Sequence, residues 1–343
     1  MVQKPGVRHY FAEGVTSRGY ISLLPDMMSE WERTYVLMGG PGTGKSTMIK
    51  MIGLELLDRG YEVDFMRSAR DPDSMAGFSI RRSNLAMLDL YEVAPLKWRA
   101  PGIVERFVDF TPLCDLRKLE YQRHRILELE DDGKRLQKEI GVRLAEEFGE
   151  KVRGKAPTAE DKHERPWLLN SYSSSDLEEA REGPWSKAQG ALDKLQKSKV
   201  TSFFLQRLDC EGWLNLAPHY LADFDQIRLD GKETSEAMDW ILSEAEQLGQ
   251  IINIVLHPLY PDKIIGIVFP QRNLAVWQGA PEELKDQGLD RPFSEALKDA
   301  LVKFQNLREH LKTIYMDVID FSRVDQLRDE MLNQILGDLE ELK

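Results

Sequence analysis

Four segments in the first third of the chain predict the start of an α/β fold. Thr34–Met38 is almost entirely apolar, which is typical of a buried strand. Ser46–Leu57 has apolar residues at helical spacing and is followed by Gly60, a frequent helix terminator. Val63–Met66 and Asn84–Asp89 have the composition of two further strands. This order predicts a parallel sheet flanked by helices.

Two later regions predict amphipathic helices, because their apolar residues recur at steps of three, four or seven. The first stripe comprises Leu116, Leu119, Ile126, Leu129, Leu136, Ile140 and Leu144, and the second comprises Leu297, Leu301, Phe304, Leu307, Leu311, Ile314 and Val318. We expect the stripes to pack on their own domain or on each other. A coiled coil that binds a partner protein is the alternative.

The chain also repeats itself. Residues 7–32 match residues 200–225 at an offset of 193, with Phe11 opposite Phe204. Residues 60–88 match residues 249–277 at an offset of 189. Two collinear blocks of this kind predict a fold duplicated in tandem. The change of offset means that the second copy lacks four residues between the two blocks.

This repeat predicts three regions. Residues 1–153 are expected to form one α/β domain, with a helical extension at about 113–153. Residues 154–199 are rich in polar and turn-forming residues and predict a linker with some helix near 186–198. Residues 200–343 are expected to form the second α/β unit with its own C-terminal helices.

The segment from Gly39 to Ser46 satisfies the Walker A pattern G-x-x-x-x-G-K-[ST] between a predicted strand and a predicted helix. Glycines let backbone N–H groups converge on phosphate oxygens, and the helix start adds the positive end of its dipole. Lys45 is expected to contact the β- and γ-phosphates without a role in the core, and Ser46 to bind Mg²⁺. The predicted nucleotide-binding residues are Gly39, Gly40, Pro41, Gly42, Thr43, Gly44, Lys45, Ser46 and Thr47.

Asp89 ends a predicted strand about 40 residues after the glycine-rich loop, a distance that suits a βαβ arrangement. It is the candidate Walker B carboxylate, which would bind Mg²⁺ together with Ser46 and act with Lys45 in catalysis. A turn residue at the strand end is the alternative. Glu92 is a weaker candidate for activating water. The loop residues Arg67, Arg70, Asp71, Arg81 and Arg82 are candidates for facing the nucleotide or a second substrate.

The second copy lacks the phosphate-binding residues while it keeps the apolar pattern. Gly231-Lys232-Glu233-Thr234 has no preceding glycines, and Gln278 stands where the first copy has Asp89. We therefore expect the second unit to bind no nucleotide in the usual way and to serve a structural or partner-facing role.

The composition of the chain disfavours some classes of binding partner. The 343 residues include 46 basic and 58 acidic side chains, a net charge of −12, which disfavours broad nucleic-acid or membrane surfaces. Only two cysteines are present, and no stretch has the length and hydrophobicity of a secretory signal or a transmembrane helix. These features predict a cytoplasmic protein with no nucleic-acid or membrane partner.

The entry motif from Phe11 to Gly19, the loop Gly39–Thr47 and the strand ending in Asp89 together resemble a poorly characterised bacterial family of tandem P-loop proteins, loosely described as ATPases or nucleotide-kinase-like. The resemblance covers most of the chain and implies a duplicated P-loop NTPase fold that binds ATP. Family members often keep the loop in both halves, so the degenerate second half departs from the family pattern.

Three functions follow as expectations. The first is a protein that binds ATP and Mg²⁺ and acts as a slow ATPase or a nucleotide-dependent switch, since Leu90 follows Asp89 where fast ATPases place a second acid. The second is a small-molecule or nucleotide kinase. The third is a non-catalytic scaffold that ATP orders for an unidentified protein partner, bound through the second unit or the helical regions.

Overall fold

The computed structural model describes residues 6–93, 96–148, 199–231, 234–282, 289 and 292–342. The predicted linker, 154–199, lies outside the described residues except for Lys199, and the helix expected near 186–198 lies entirely outside them. None of the helices in the described part of the chain combines the length and the apolar character needed to cross a membrane.

The N-terminal half contains one sheet, one hairpin and several helices. The sheet strands are β1 (Val7–Tyr10), β4 (Arg33–Met38), β5 (Val63–Arg67), β6 (Met75–Ile80), β7 (Leu85–Asp89) and β8 (Glu105–Asp109). The hairpin strands are β2 (Glu13–Thr16) and β3 (Gly19–Ser22), and the helices are α1 (Leu24–Ser29), α2 (Lys45–Asp58), α3 (Leu116–Tyr121) and α4 (Arg123–Phe148). The strands and helices expected at 34–38, 46–57, 63–66 and 84–89 are therefore confirmed.

The first sheet has the order β1-β5-β6-β7-β4-β8 and is mixed. β6 runs antiparallel to β5 and to β7, while the other neighbouring pairs are parallel. The prediction of a parallel sheet is wrong at this strand. Its two connections, 68–74 and 81–84, are too short for the crossover that a parallel neighbour requires.

The C-terminal half contains a second mixed sheet. Its strands are β9 (Lys199–Phe203), β12 (Asp225–Leu229), β13 (Ile251–Leu256), β14 (Ile264–Phe269) and β15 (Leu274–Gln278), and β10 (Gln206–Asp209) and β11 (Gly212–Asn215) form a hairpin. The helices are α5 (Ala217–Tyr220), α6 (Thr234–Gln247), α7 (Glu295–Met316) and α8 (Phe321–Glu341).

The two sheets share their strand order. From its far edge the second sheet runs β9-β13-β14-β15-β12, and each strand occupies the position of its sequence counterpart in β1-β5-β6-β7-β4. The central strand β14 is antiparallel to both neighbours, as β6 is. Among the described strands, β8 has no counterpart in the second sheet.

The halves meet at the residues that the sequence repeat pairs. Phe11 and Phe204 each donate a backbone N–H to the other's carbonyl oxygen at 2.9 Å, and both side chains are buried. The largest apolar cluster is continuous across the two sheets at this point. Such an interior resembles the core of one domain more than a wet contact between two.

The C-terminal helix packs away from the sheet that precedes it in the chain. Asp320 caps α8 by accepting the backbone N–H groups of Ser322 and Arg323. The apolar face of α8, which includes Met331 and Ile335, joins the core of the first sheet beside α2. The first α/β layer is therefore completed by a helix from the far end of the chain.

Candidate functional site

A six-residue loop, 39–44, joins β4 to α2 at the edge of the first sheet where β4, β7 and β8 all end. Gly39, Gly42 and Gly44 have φ angles of 146°, 75° and 89°. Residues with side chains rarely adopt these angles. α2 begins directly after Gly44, so its first backbone N–H groups lack partners inside the helix. Such a loop before a helix start is typical of anion-binding sites.

Lys45 is the first residue of α2, and its side chain, which reaches back to this loop, is only 2% exposed. Its Nζ donates to the carbonyl oxygens of Gly39 and Gly40, at 3.0 and 2.6 Å, and to Thr43 Oγ1 at 3.2 Å. The expectation that Lys45 has no role in the core is therefore wrong. Its ammonium group holds the loop together through the loop's own oxygens, the groups that a buried cation needs.

Asp89 lies at the end of β7, paired in register with Leu37 of the neighbouring β4. Its Oδ1 is 3.6 Å from Lys45 Nζ, and the carboxylate is almost fully buried. Burial raises the pKa of Asp89 to about 6, although the charge of Lys45 acts in the opposite direction. The sheet thus brings together the two residues that the sequence predicted for catalysis.

Ser46 is half-buried at the start of α2, and its Oγ accepts the backbone N–H of Met75 at 2.7 Å. A hydroxyl oxygen has a second lone pair that remains usable by a cation. Mg²⁺ in phosphate sites takes one or two protein oxygens and completes its shell with phosphates and water. The hard oxygen donors of Ser46 and Asp89 fit this requirement. Among the described residues, no group of three or more His, Cys, Asp or Glu side chains is arranged to hold a metal.

The other loop residues have distinct surroundings. Pro41 and Thr43 are buried, and Thr43 Oγ1 donates to the carbonyl of Gly40 at 2.8 Å. Thr47, on the first turn of α2, is exposed. Thr43 therefore stabilises the loop, whereas Thr47 faces away from it.

The five charged loop residues that were candidates for facing a nucleotide or a second substrate lie at two different ends of the sheet. Arg70 and Asp71 follow β5 at the same sheet edge as the glycine-rich loop. Arg81 pairs with Asp64 at 2.9 Å, and the exposed Arg82 lies near Glu62, both beyond the other end of β6. Arg67 donates to the carbonyl of Pro72 and shapes its own loop. Arg67, Arg70 and Asp71 therefore lie at the sheet edge of the glycine-rich loop, whereas Arg81 and Arg82 do not.

Two cations that the sequence did not indicate reach this edge from α7. Lys312 Nζ is 2.6 Å from Asp71 Oδ2, and Arg308 is hydrogen-bonded to the buried Glu92. Glu92 also accepts the hydroxyl of Ser68 at 2.6 Å. The sequence does hold a clue to them, because Arg308 and Lys312 are one turn apart and border the apolar stripe of the predicted second amphipathic helix.

These ion pairs shift the pKa values of Asp71 and Arg308. Burial of Asp71 opposes ionisation, but the hydrogen bond and the charge of Lys312 bring the pKa of Asp71 below its usual value. Burial likewise opposes the charge of Arg308, but Glu92, Tyr91 and Asp71 together outweigh it, so the pKa of Arg308 is raised. Asp71 and Arg308 are therefore charged at neutral pH.

The corresponding edge of the second sheet is built differently. Its β12–α6 connection spans four residues, 230–233, against six in the first sheet. Thr234 begins α6 and donates its hydroxyl to the carbonyl of Gly231 at 2.8 Å. Lys232, the one basic residue of this connection, lies outside the described residues. Gln278 ends β15 where Asp89 ends β7.

Comparison of the chain with protein-family models, with curated proteins and with solved structures found no match.

Proposed function

We propose that the N-terminal half is a P-loop unit that binds ATP with Mg²⁺ and acts as a slow ATPase or a nucleotide-dependent switch. The observation that supports it best is the distance of 3.6 Å between Asp89 Oδ1 and Lys45 Nζ, beside a glycine-rich loop that leads into a helix. A buried lysine, a strand-end carboxylate and such a loop are the parts that P-loop enzymes use to hold a triphosphate and its metal.

We further propose that the chain is a tandem duplication whose second P-loop has degenerated. The shared strand order, the antiparallel β6 and β14, and the pairing of Phe11 with Phe204 support a common origin of the halves. Loss of residues between the strand and helix of the second unit removes the backbone N–H groups that would surround a phosphate.

A small-molecule kinase is the second candidate, favoured by a cavity beside the site. This cavity measures about 470 Å³ and lies between α4, α7 and the segment that follows β7. Arg70, Tyr91 and Arg308 line it together with apolar side chains from both helices. Pockets of this size and mixed lining commonly hold small ligands.

Calorimetric titration with Mg-ATP tests the binding proposal, with Lys45→Ala against Lys50→Ala, an exposed lysine on the same helix. Lys45→Ala should weaken ATP binding roughly ten- to a hundredfold, as expected for a lost charge-assisted contact. Lys50→Ala should bind as the wild type does. Circular dichroism confirms that each variant is folded, and equal ATP affinity in both variants would contradict the proposal.

Measuring the consumption of ATP then distinguishes hydrolysis from phosphoryl transfer. Turnover of ATP in buffer alone supports an ATPase, whereas turnover that requires a nucleoside or sugar acceptor supports a kinase. Tight binding without turnover leaves the scaffold role.

A further inference from the structure

Helix α7 lies directly against the glycine-rich loop. A methyl group added at Gly42 would come within 2.5 Å of the carbonyl oxygen of Lys312 and 3.0 Å of its Cα. Tyr315 occupies the space beside Gly40 in the same way. These two glycines therefore permit close packing of a helix that belongs to the C-terminal half.

The same helix is joined to the loop between β5 and β6. Asp71 in this loop is fully buried and receives Lys312 Nζ at 2.6 Å and Ser74 Oγ at 3.0 Å. Met75, at the end of the loop, donates its N–H to Ser46 Oγ. The pair Lys312–Asp71 thus connects the element that touches Gly42 with the element that touches Ser46.

Arg308 extends this arrangement one helical turn away. It is 5% exposed, pairs with Glu92, and keeps a buried Nε–H without a partner among the described residues. Its guanidinium carbon is 5.4 Å from the ring centre of Tyr91, and Lys45 Nζ is 5.8 Å from the same ring centre. Arg308 and Lys45, the group expected to contact phosphate, therefore lie near the same aromatic ring, at most about 11 Å apart.

We infer that Arg308 and Lys312 contact the terminal phosphate of the bound nucleotide, so that the C-terminal half completes the site of the N-terminal half. This inference rests on the proposed function. Lys45 pairs with Asp89, and Arg308 pairs with Glu92 and lies 3.9 Å from Asp71. Lys312 pairs with Asp71 and with the partly exposed Glu309, so each of these carboxylates already faces a cation. Phosphate oxygens compete well for such cations because a guanidinium donates to them in pairs and an ammonium acts as a point charge.

If this inference holds, the protein distinguishes nucleoside triphosphates from diphosphates. ATP carries the terminal phosphate and ADP lacks it, so loss of Lys312 should weaken the binding of ATP more than the binding of ADP. Asp71 and Glu92 would then hold the two cations whenever that phosphate is missing. An arginine supplied to a P-loop site from outside the loop acts on the transition-state charge in other phosphoryl-transfer enzymes.

The test compares two variants of the full chain. Lys312→Met removes the cation, and Lys312→Met with Asp71→Asn removes the cation and its buried partner together. In both we expect ATP affinity to fall roughly tenfold and ADP affinity to change less than about threefold, as measured by calorimetry with Mg²⁺. Lys303→Met, an exposed position on the same helix, is the control and should leave both affinities unchanged.

The double variant keeps the test decisive. If the ion pair only stabilises the fold, removing both charges restores the wild-type ratio of ATP to ADP affinity, and the inference is overturned. If the wild type binds ATP through Lys45 but neither Lys312 variant alters that ratio, the inference fails while the proposed function stands. A wild type that binds no ATP overturns both.

Discussion

At the scale of single residues, the site is a set of buried charges that satisfy one another. Lys45 and Asp89 lie within 3.6 Å of each other at almost complete burial, where an unpaired charge costs several kcal/mol. Lys45 obtains further partners from the loop carbonyls, whereas Asp89 accepts the backbone N–H of Tyr91 at 2.9 Å. The carboxylate is therefore fixed in position before any ligand is present.

Replacing Asp89 by Asn tests its role toward metal. We expect Asp89→Asn to weaken ATP binding roughly tenfold when Mg²⁺ is present, because a neutral amide is a poorer ligand for a hard cation. With EDTA, the variant should bind ATP at least as tightly as the wild type, since a negative charge next to the phosphates has been removed.

Titration in both buffers measures this contrast, with Asp131→Asn as an exposed aspartate control. An Asp89→Asn protein that binds and turns over Mg-ATP like the wild type would leave Asp89 as a strand-end residue only.

At the scale of elements, α8 stabilises the sheet that carries the site. Asp338 on its buried face accepts hydrogen bonds from Arg106 at 2.8 Å and from the hydroxyl of Tyr35 in β4. Ile335 is fully buried among the apolar side chains between α8 and the first sheet. The helix therefore anchors the strand that leads into the glycine-rich loop.

Ile335→Ala should lower the free energy of unfolding by about 2–5 kcal/mol, because it leaves a cavity in this core. Gln334→Ala, exposed on the same turn, should change it by less than about 0.5 kcal/mol. Urea unfolding monitored by circular dichroism gives both values. Similar stabilities for the two variants would show that α8 does not contribute to the core of the first sheet.

At the scale of the whole molecule, two sheets with the same strand order share one interior but differ where β7 and β15 end. In the first sheet a six-residue loop precedes Lys45, and Asp89 ends β7. In the second sheet a four-residue connection precedes Thr234, and Gln278 ends β15. Under the proposed function, the shorter connection supplies too few backbone N–H groups to surround a phosphate. The second half contributes α7, which contacts the glycine-rich loop, and α8, which covers the first sheet.

Calorimetry should accordingly find one ATP per chain, and none after Lys45 and Ser46 are both replaced by Ala. The variant must keep its wild-type circular dichroism spectrum for this comparison. A stoichiometry of two, or binding that survives the double replacement, would mean that the second half retains a nucleotide site.

The sequence by itself determined the local parts of this protein. The strand, loop and helix around Lys45, the strand ending at Asp89 and the two matching blocks all depend on residues close in the chain. Backbone conformation there follows from apolar spacing and from glycines that permit positive φ. For the same reason, the sequence identified Lys45, Ser46 and Asp89 as candidates before their geometry was known.

Only the tertiary structure decided which distant elements meet. The reversed direction of β6 depends on short connections, and the pairing of Lys312 with Asp71 joins residues 241 positions apart. Periodicity shows that a helix has an apolar face, but it does not say which sheet covers that face. Packing of the whole chain buried the apolar face of α8 on the first sheet and that of α7 against α4, which brings the Lys312 backbone and the Tyr315 ring onto the glycine-rich loop.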